Sequence, residues 1–409
     1  MDAYGLLGEH LGHSFSPQIH GVLGIRDYGL YEVEPKGLAA FLETTPLRGL
    51  NVTIPYKKAV IPLCASLSDA ARRIGSVNTL KRTENGWYGD NTDYAGFRYM
   101  LESLGFDPRG EKTVVFGSGG AAVTVRAVLR DLGAGETVVV SRTGPDNYDN
   151  LDKHRDAALV VNATPVGMYP NNGQAAASLA HFPDCRAVLD LIYNPARTAL
   201  LLEAEALGIP RRNGLGMLAA QACRSEELWL ARSLPPELIE RAAGSVGRST
   251  ENLILIGMPG CGKTRLGGLL ARALGRPLLD ADQELTKRLG RTPAELIETE
   301  GEAAFRAEET ETLRALGKGS GAVISTGGGC VTRPENRDLL RQNGRVFWLR
   351  RDLGKLPTAG RPLSRTVGPE ELYRQRRDRY AAFADYAVDN NGSPEAAVKE
   401  ILDLWERSF

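Results

Sequence analysis

Two apolar strands in this chain run directly into glycine loops of different kinds, and no other feature constrains its fold as much. Lys112–Phe116 (KTVVF) is followed at once by Gly117-Ser-Gly-Gly-Ala-Ala122, a helical pattern to Leu132 and a second strand-like run, Thr137–Val140. Strand, glycine turn, helix, strand is the order of a parallel βαβ unit. Leu253–Ile256 runs in the same way into Gly257-Met-Pro-Gly-Cys-Gly-Lys-Thr264 and a further helix. The loops differ in pattern, so they imply two nucleotide sites on two folds, not a repeat.

Length agrees: 409 residues at about 150 per domain predict two to three domains. Fifty basic and fifty acidic side chains give a net charge of zero, which argues against nucleic acid as a partner, since that needs a basic footprint. Five cysteines (Cys64, Cys185, Cys223, Cys261, Cys330) stand without a CxxC pair, which suits a reducing compartment and offers neither a disulfide framework nor a zinc site. No leader-like start and no apolar run of the ~18 residues that span a bilayer is visible, so the expectation is a cytoplasmic chain without a membrane partner. The sequence says nothing of oligomeric state. Pro235-Pro236 opens a helix expected over Glu237–Ala243, and the polar, glycine-rich Gly244–Thr250 reads as a linker.

In the first half, Gly117-x-Gly119-x-x-Ala122, with Gly120 and Ala121 between, fits a dinucleotide fingerprint, whose glycines let a helix N-terminus approach a pyrophosphate. Users of NAD normally end the second strand with an acid; here it ends in Ser141-Arg142-Thr143. A guanidinium and two hydroxyls suit a 2′-phosphate, so NADP(H) is the expected cofactor. Polar clusters flank this unit: Ser14-Phe-Ser16-Pro17, Asn51-Val-Thr53-Ile-Pro-Tyr-Lys57, Asn78, Asp93, Asn162–Met168, Asp190–Tyr193 and Gly214–Gln221. Ser14, Ser16, Thr53, Asn78, Asp93 and Gln221 supply hydroxyl, amide and carboxylate groups, the types that pair the polar atoms of a ligand. Lys57, poised by Asp93, can give a proton to the oxygen of a carbonyl undergoing hydride transfer. His13 and His20 are expected to be structural, a helix cap and a packed ring.

On these motifs, residues 1–243 resemble the shikimate dehydrogenase family. The resemblance implies NADP-dependent reduction of 3-dehydroshikimate to shikimate. Lys57 and Asp93 would be the catalytic pair, the six residues just named would hold the substrate, and Tyr193, Gly214 and Met217 would lie near the nicotinamide. His10, where the family usually has Pro, and Gly21, where Asn is common, are departures that bear on loop geometry.

In the second half, Gly257-x-x-x-x-Gly262-Lys263-Thr264 fits a Walker A loop: backbone N–H groups, including those at Gly260 and Gly262, cradle phosphates, Lys263 reaches the β/γ oxygens, and the Thr264 hydroxyl ligates Mg²⁺. Asp280-Ala-Asp282 is expected to place two carboxylates on one side of an extended chain, one to hold Mg²⁺ through water and the other to orient an acceptor hydroxyl. Arg306, Gly327–Gly329 (with Gly328 between), Arg361-Pro-Leu and Arg376-x-x-x-Tyr380 follow. These positions resemble shikimate kinase over 252–409. The family implies that Asp282 contacts the acceptor hydroxyl, which leaves Asp280 to Mg²⁺, that Arg306 and Arg376 grip a carboxylate, that the Gly327–Gly329 backbone wraps the ring, and that Arg361 meets the transferring phosphoryl group. Residues 358–370, with Gly360, Pro362 and Gly368, have the make-up of a lid. The stretch from Trp348 to Arg361 is short for the family, which leaves the adenine contacts unassigned, and Asp378 stands where Pro is usual.

The expected architecture is α/β throughout: a substrate domain (1–98, completed by helices 217–243), a Rossmann-type NADP domain (99–216), a linker (244–251) and a P-loop kinase domain with a parallel sheet (252–409). The expected function is bifunctional, 3-dehydroshikimate to shikimate with NADPH and shikimate to its 3-phosphate with ATP and Mg²⁺. A quinate/shikimate dehydrogenase that prefers NAD, fused to a kinase or to a silent ATP-binding module, is the alternative.

Overall fold

A computed structural model describes residues 3–12, 14–356 and 368–408. The chain forms two compact units. The first comprises Met1–Gly167, Gln174–Tyr193 and Leu200–Gly247; the second comprises Met168–Gly173, Asn194–Ala199 and Arg248–Phe409.

The first unit holds two sheets. Strands β1 (Tyr4–Gly8), β2 (Tyr28–Glu32), β3 (Gly49–Val52), β4 (Cys64–Leu67), β5 (Thr79–Thr83) and β6 (Gly86–Asp90) form a mixed sheet in the order β2-β1-β3-β5-β6-β4. Leu7, Leu50, Val52, Leu80 and Trp87 pack beneath it in one core. Strands β7 (Lys112–Phe116), β8 (Glu136–Val140), β9 (Leu159–Asn162), β10 (Ala187–Asp190) and β11 (Arg211–Arg212) form a parallel sheet in the order β11-β10-β9-β7-β8. Alternate side chains of β7 serve separate cores. Val114 and Phe116 pack with Val138 and Val188, while Val115 packs with Phe97, Val125 and Leu189. A parallel strand covered on both faces needs such an unbroken apolar run. The connections after β7 and β9 leave in opposite directions, so the carboxyl ends of these two strands bound the crevice where doubly wound sheets take ligands.

The second unit is built on β12 (Asn252–Ile256), β13 (Leu278–Asp280), β14 (Val323–Ser325), β15 (Gly344–Arg350) and β16 (Tyr386–Asp389), all parallel, in the order β13-β14-β12-β15-β16. The loops after β12 and β14 therefore emerge side by side at the carboxyl edge.

Two local expectations are corrected. Gly244–Thr250 is not an irregular linker: one helix runs from Glu237 to Thr250. Ala242, Ala243 and Val246 bury an apolar stripe against Ile19, Leu23 and Ala219, and that packing outweighs the roughly 1 kcal/mol each helical glycine costs. Asp280 and Asp282 do not share an extended chain. Asp280 ends β13 and caps the helix Ala281–Leu289, its Oδ1 accepting from the Asp282 and Gln283 amides at 3.2 and 3.4 Å; Asp282 lies in the first turn.

Candidate functional sites

In the first unit, Lys57 follows β3 in a run of turns, and Asp93 opens the helix Asp93–Leu104. The Lys57 Nζ donates to Asp93 Oδ2 at 2.7 Å. The other carboxylate oxygen accepts from Asn78 Nδ2 at 2.9 Å, and the same amide stands 3.4 Å from Gln221 Oε1 on the helix Leu215–Leu230. Asn78 is fixed in turn, because its Oδ1 accepts from the Thr92 amide at 2.7 Å. Lys57, Asn78, Asp93 and Gln221, far apart in sequence, thus form one hydrogen-bonded group. The Lys57 and Asp93 side chains remain 33% and 19% exposed, so the pair is reachable from solvent.

The remaining expected residues occupy the loops. Ser14 Oγ accepts from the Ser16 amide at 3.2 Å, and Ser16 leads the helix Ser16–Leu23. Thr53 follows β3 and donates its amide to the Leu7 carbonyl at 2.9 Å. Tyr193 meets Phe15 edge-on with ring centroids 6.1 Å apart, and burial raises its phenol pKa. Gly214 caps the helix that carries Met217 and Gln221. His20 is a packed ring, as expected; His13 lies outside the described residues.

At the end of β7, Gly117 has φ +101°, and a Cβ there would stand 2.9 Å from the Thr164 side chain, so only glycine fits between the ends of β7 and β9. Gly119 caps the helix Gly120–Asp131, whose first residues, Gly120 and Ala121, are exposed. Ser141, Arg142 and Thr143 follow β8 directly; Arg142 and Thr143 are exposed.

In the second unit the expected residues converge on a cavity of about 540 Å³ lined by Gly260, Gly262, Lys263, Thr264, Asp280, Asp282, Arg306, Gly327, Gly328, Gly329 and Arg376. Lys263 is buried and folded into its own loop, its Nζ donating to the Gly257 and Met258 carbonyls at 2.9 and 3.1 Å. The Thr264 hydroxyl donates to Asp280 Oδ2 at 2.9 Å and lies 3.2 Å from Ser325 Oγ. Burial, then the neighbouring Asp280 charge, raises the Asp282 carboxyl pKa; Lys263 and Arg306 oppose the shift. Arg306 is gripped by Glu309 at 2.7 Å and Glu302 at 3.1 Å. Gly329 lies so close that a Cβ would stand 2.2 Å from the Arg306 guanidinium. Arg376 and Tyr380 both donate to the Gly328 carbonyl, which fixes the turn of the glycine run. Arg361 and the expected lid residues Gly360 and Pro362 lie outside the described residues.

Sequence reasoning passed over Glu309. It is 2% exposed, lines the cavity, and burial raises its carboxyl pKa against the pull of Arg306. Its spacing of three residues from Arg306 on one helix was the available signal. Among the described residues no helix is long and apolar enough to cross a membrane.

A doubly wound sheet with a Lys–Asp pair and a second parallel sheet with a glycine-loop lysine define a dinucleotide-dependent oxidoreductase joined to a small-molecule kinase. Comparison with known proteins agrees. The model of the shikimate dehydrogenase substrate binding domain matches residues 6–80, and that of shikimate kinase matches residues 259–406. The NADP(+) shikimate dehydrogenase of Methanopyrus kandleri is 38% identical over 271 residues, 58% of this chain and 93% of that protein. A chorismate mutase/shikimate 5-dehydrogenase fusion protein from Clostridium acetobutylicum has a TM-score of 0.57 at 37% identity, covering 59% of this chain and 96% of that one. The Thermus thermophilus shikimate 5-dehydrogenase, solved with NADP(H) and shikimate, gives 0.54 at 33%, covering 59% and 98%. The chain belongs to the shikimate dehydrogenase family and carries a shikimate kinase domain after it.

Proposed function

We propose that the chain catalyses two consecutive steps: reversible NADP(H)-dependent reduction of 3-dehydroshikimate to shikimate in its first unit, and ATP-dependent phosphorylation of shikimate to its 3-phosphate in its second. The observation that carries the first is the 2.7 Å Lys57–Asp93 bond. For the second it is the convergence of Lys263, Asp282 and Arg306 on one cavity. The domain assignment follows: 1–98 with 217–243 for the ring acid, 99–216 for the dinucleotide, 252–409 for the kinase.

The chain's own groups fit NADP(H). No atom lies within 4 Å of where a Cβ would stand on Gly119 or Gly120, so a pyrophosphate can approach the unpaired amides of the first helical turn. Arg142, with Ser141 and Thr143, would take the 2′-phosphate. NADPH supplies the hydride when bound. Lys57 would give a proton to the ketone oxygen as alkoxide character grows on it, while Asp93 and Asn78 hold the ammonium and a neighbouring hydroxyl in place. Ser14, Ser16, Thr53 and Gln221 pair the carboxylate and the other hydroxyls, and Tyr193, Gly214 and Met217 flank the nicotinamide.

The second cavity fits a triphosphate and Mg²⁺ through the Gly260–Thr264 amides and two hard oxygen donors, Thr264 Oγ1 and Asp280 Oδ2. Mg²⁺ prefers such sparse protein ligation with water and phosphate completing its shell. ATP supplies the phosphoryl group when bound. Asp282 orients the acceptor hydroxyl and takes its proton, Lys263 and Arg361 neutralise the transferring charge, Arg306 and Arg376 hold the carboxylate, and the Gly327–Gly329 backbone follows the ring. The nucleotide base takes the separate pocket of about 400 Å³ lined by Arg350, Arg351, Tyr373, Asp389 and Asn391.

One preparation tests both halves. NADPH formation from shikimate and NADP⁺ should disappear in Lys57→Met while ADP release from shikimate and ATP persists; Lys263→Met should show the reverse. A wild-type chain with only one activity, or quinate turnover exceeding that of shikimate, overturns the reading.

A further inference from the structure

Below the Lys57–Asp93 pair lies a buried polar cluster that the reaction as described does not use. His20, Glu226, Ser225 and Thr79 have no measurable exposure, and Asn51 is 5% exposed. His20 Nδ1 stands 2.9 Å from Glu226 Oε1, and its Nε2 stands 3.0 Å from Asn51 Oδ1. Asn51 Oδ1 also accepts from the Tyr28 hydroxyl at 2.7 Å. On the other side, Asn51 Nδ2 donates to Ser225 Oγ at 2.8 Å and to Thr79 Oγ1 at 3.1 Å, and Ser225 Oγ also stands 2.9 Å from the Gln221 carbonyl. Both ring nitrogens of His20 therefore stand within hydrogen-bond distance of a side-chain oxygen, Nδ1 of Glu226 and Nε2 of Asn51.

From this hub, bonds reach both ends of the substrate cradle. On one side, His20 stands one helical turn after Ser16 in the helix Ser16–Leu23, and the Tyr28 ring stacks on His20 at 4.1 Å. On the other side, Ser225 lies 3.1 Å from Thr92 Oγ1. The Thr92 amide holds Asn78 Oδ1, and Asn78 holds Asp93. A buried polar cluster is a costly way to fill a core, since every group in it must find a partner. Its value here is directional: it sets Asn51, and Asn51 sets Ser16 and Asn78 relative to each other.

Resting on the dehydrogenase reading above, we infer that His20, Glu226 and Tyr28 are positioning residues of that site, holding the serine loop and the Asn78–Asp93 corner in one register through Asn51. Tyr28→Phe keeps the stacked ring and removes only the hydroxyl. The expected result is a shikimate KM raised roughly fivefold, the worth of one hydrogen bond, with the NADP⁺ KM and the kinase kinetics of the same chain unchanged. His20→Gln, which can satisfy Asn51 or Glu226 but not both, should raise the shikimate KM further and lower kcat, and His20→Ala should do worse than His20→Gln. Wild-type shikimate KM and kcat in folded Tyr28→Phe and His20→Gln overturn the inference, as does an equal rise in the shikimate and NADP⁺ KM values, which marks general loosening. Should His20→Gln fail to fold, Tyr28→Phe decides alone. A wild-type chain that forms no NADPH from shikimate marks failure of the dehydrogenase reading, a separate result.

Discussion

Gly96 sits one helical turn after Asp93, where the helix Asp93–Leu104 crosses the helix bearing Met217 and Gln221. A Cβ added there would stand 2.7 Å from the Met217 carbonyl oxygen, 3.0 Å from Met217 Cγ and 3.2 Å from Gln221 Cβ. Ordinary contact begins near 3.4 Å, so the nearest neighbour is about 0.7 Å too close, and that neighbour is backbone that cannot rotate away. Gly96→Ala must therefore push the two helices apart by several tenths of an ångström. The Asn78–Gln221 contact, already 3.4 Å, then passes out of hydrogen-bonding range, and Gln221 shifts relative to Asp93. Overpacking of this kind costs about 1–3 kcal/mol, or a fall of roughly 2–10 °C in the melting of a unit this size. Misplacement of site groups approaching 1 Å can cost up to about 10²-fold in rate. Shikimate-dependent NADPH formation should accordingly lose roughly tenfold or more in kcat/KM, while ADP release by the same chain stays at its wild-type rate. Wild-type dehydrogenase kcat/KM with unchanged melting would refute the argument, since it would mean that the helices are not in the contact described.

Arg142→Ala should weaken NADP⁺ relative to NAD⁺ by about 10- to 100-fold, the worth of a charge-assisted phosphate contact; an unchanged ratio of kcat/KM for the two cofactors would assign the 2′-phosphate to other groups. Asp282 must be ionised to take a proton, and burial and Asp280 raise its carboxyl pKa, so kinase kcat/KM should fall with decreasing pH through a value above the ~4 of a free carboxylate. An acid limb at or below that value, measured with the dehydrogenase as reference, speaks against Asp282 as the base. The Cys330 thiol is pushed up to about 12 and that of Cys64 to about 11, each first by burial, which leaves little thiolate at pH 8. Iodoacetamide at that pH should spare both activities, and rapid inactivation would contradict the burial of these thiols.

The polar residues of both sites were legible because each stands in a short run whose spacing carries a mechanism. Strand, glycine turn and helix put Gly117–Ala122 and Gly257–Thr264 at sheet edges whatever the rest of the chain does. Contacts between distant segments were not legible. Nothing in the run Glu226–Glu227 distinguishes a fully buried carboxylate from its partly exposed neighbour; only the packing of the helices Ser16–Leu23 and Leu215–Leu230 does. Gly244–Thr250 misled for a related reason. Its composition is that of a linker, and the stripe that makes it helical is completed by Ile19 and Leu23, more than two hundred residues earlier. Asp280 and Asp282 both line the cavity, but not from an extended chain, since a capping aspartate ends an extended run that periodicity alone would continue.

The two cradles recognise one ring acid with different chemistry, and the reactions explain why. Hydride transfer creates one new charge, on one oxygen, and a single proton cancels it. The first site therefore concentrates its charge in Lys57 and Asp93 and surrounds them with neutral amides and hydroxyls, which can pair a polyol. Phosphoryl transfer leaves several negative oxygens beside a carboxylate that is already charged. The second site accordingly collects Lys263, Arg306 and Arg376 around one cavity and uses a buried acid, Glu309 at 2.7 Å, to hold the Arg306 guanidinium in place. Neutralising Glu309 as Gln would therefore free Arg306 to move and should weaken shikimate binding to the kinase more than it slows the bound complex. A kcat defect with unchanged shikimate KM would place Glu309 in the chemistry, not in the holding of Arg306.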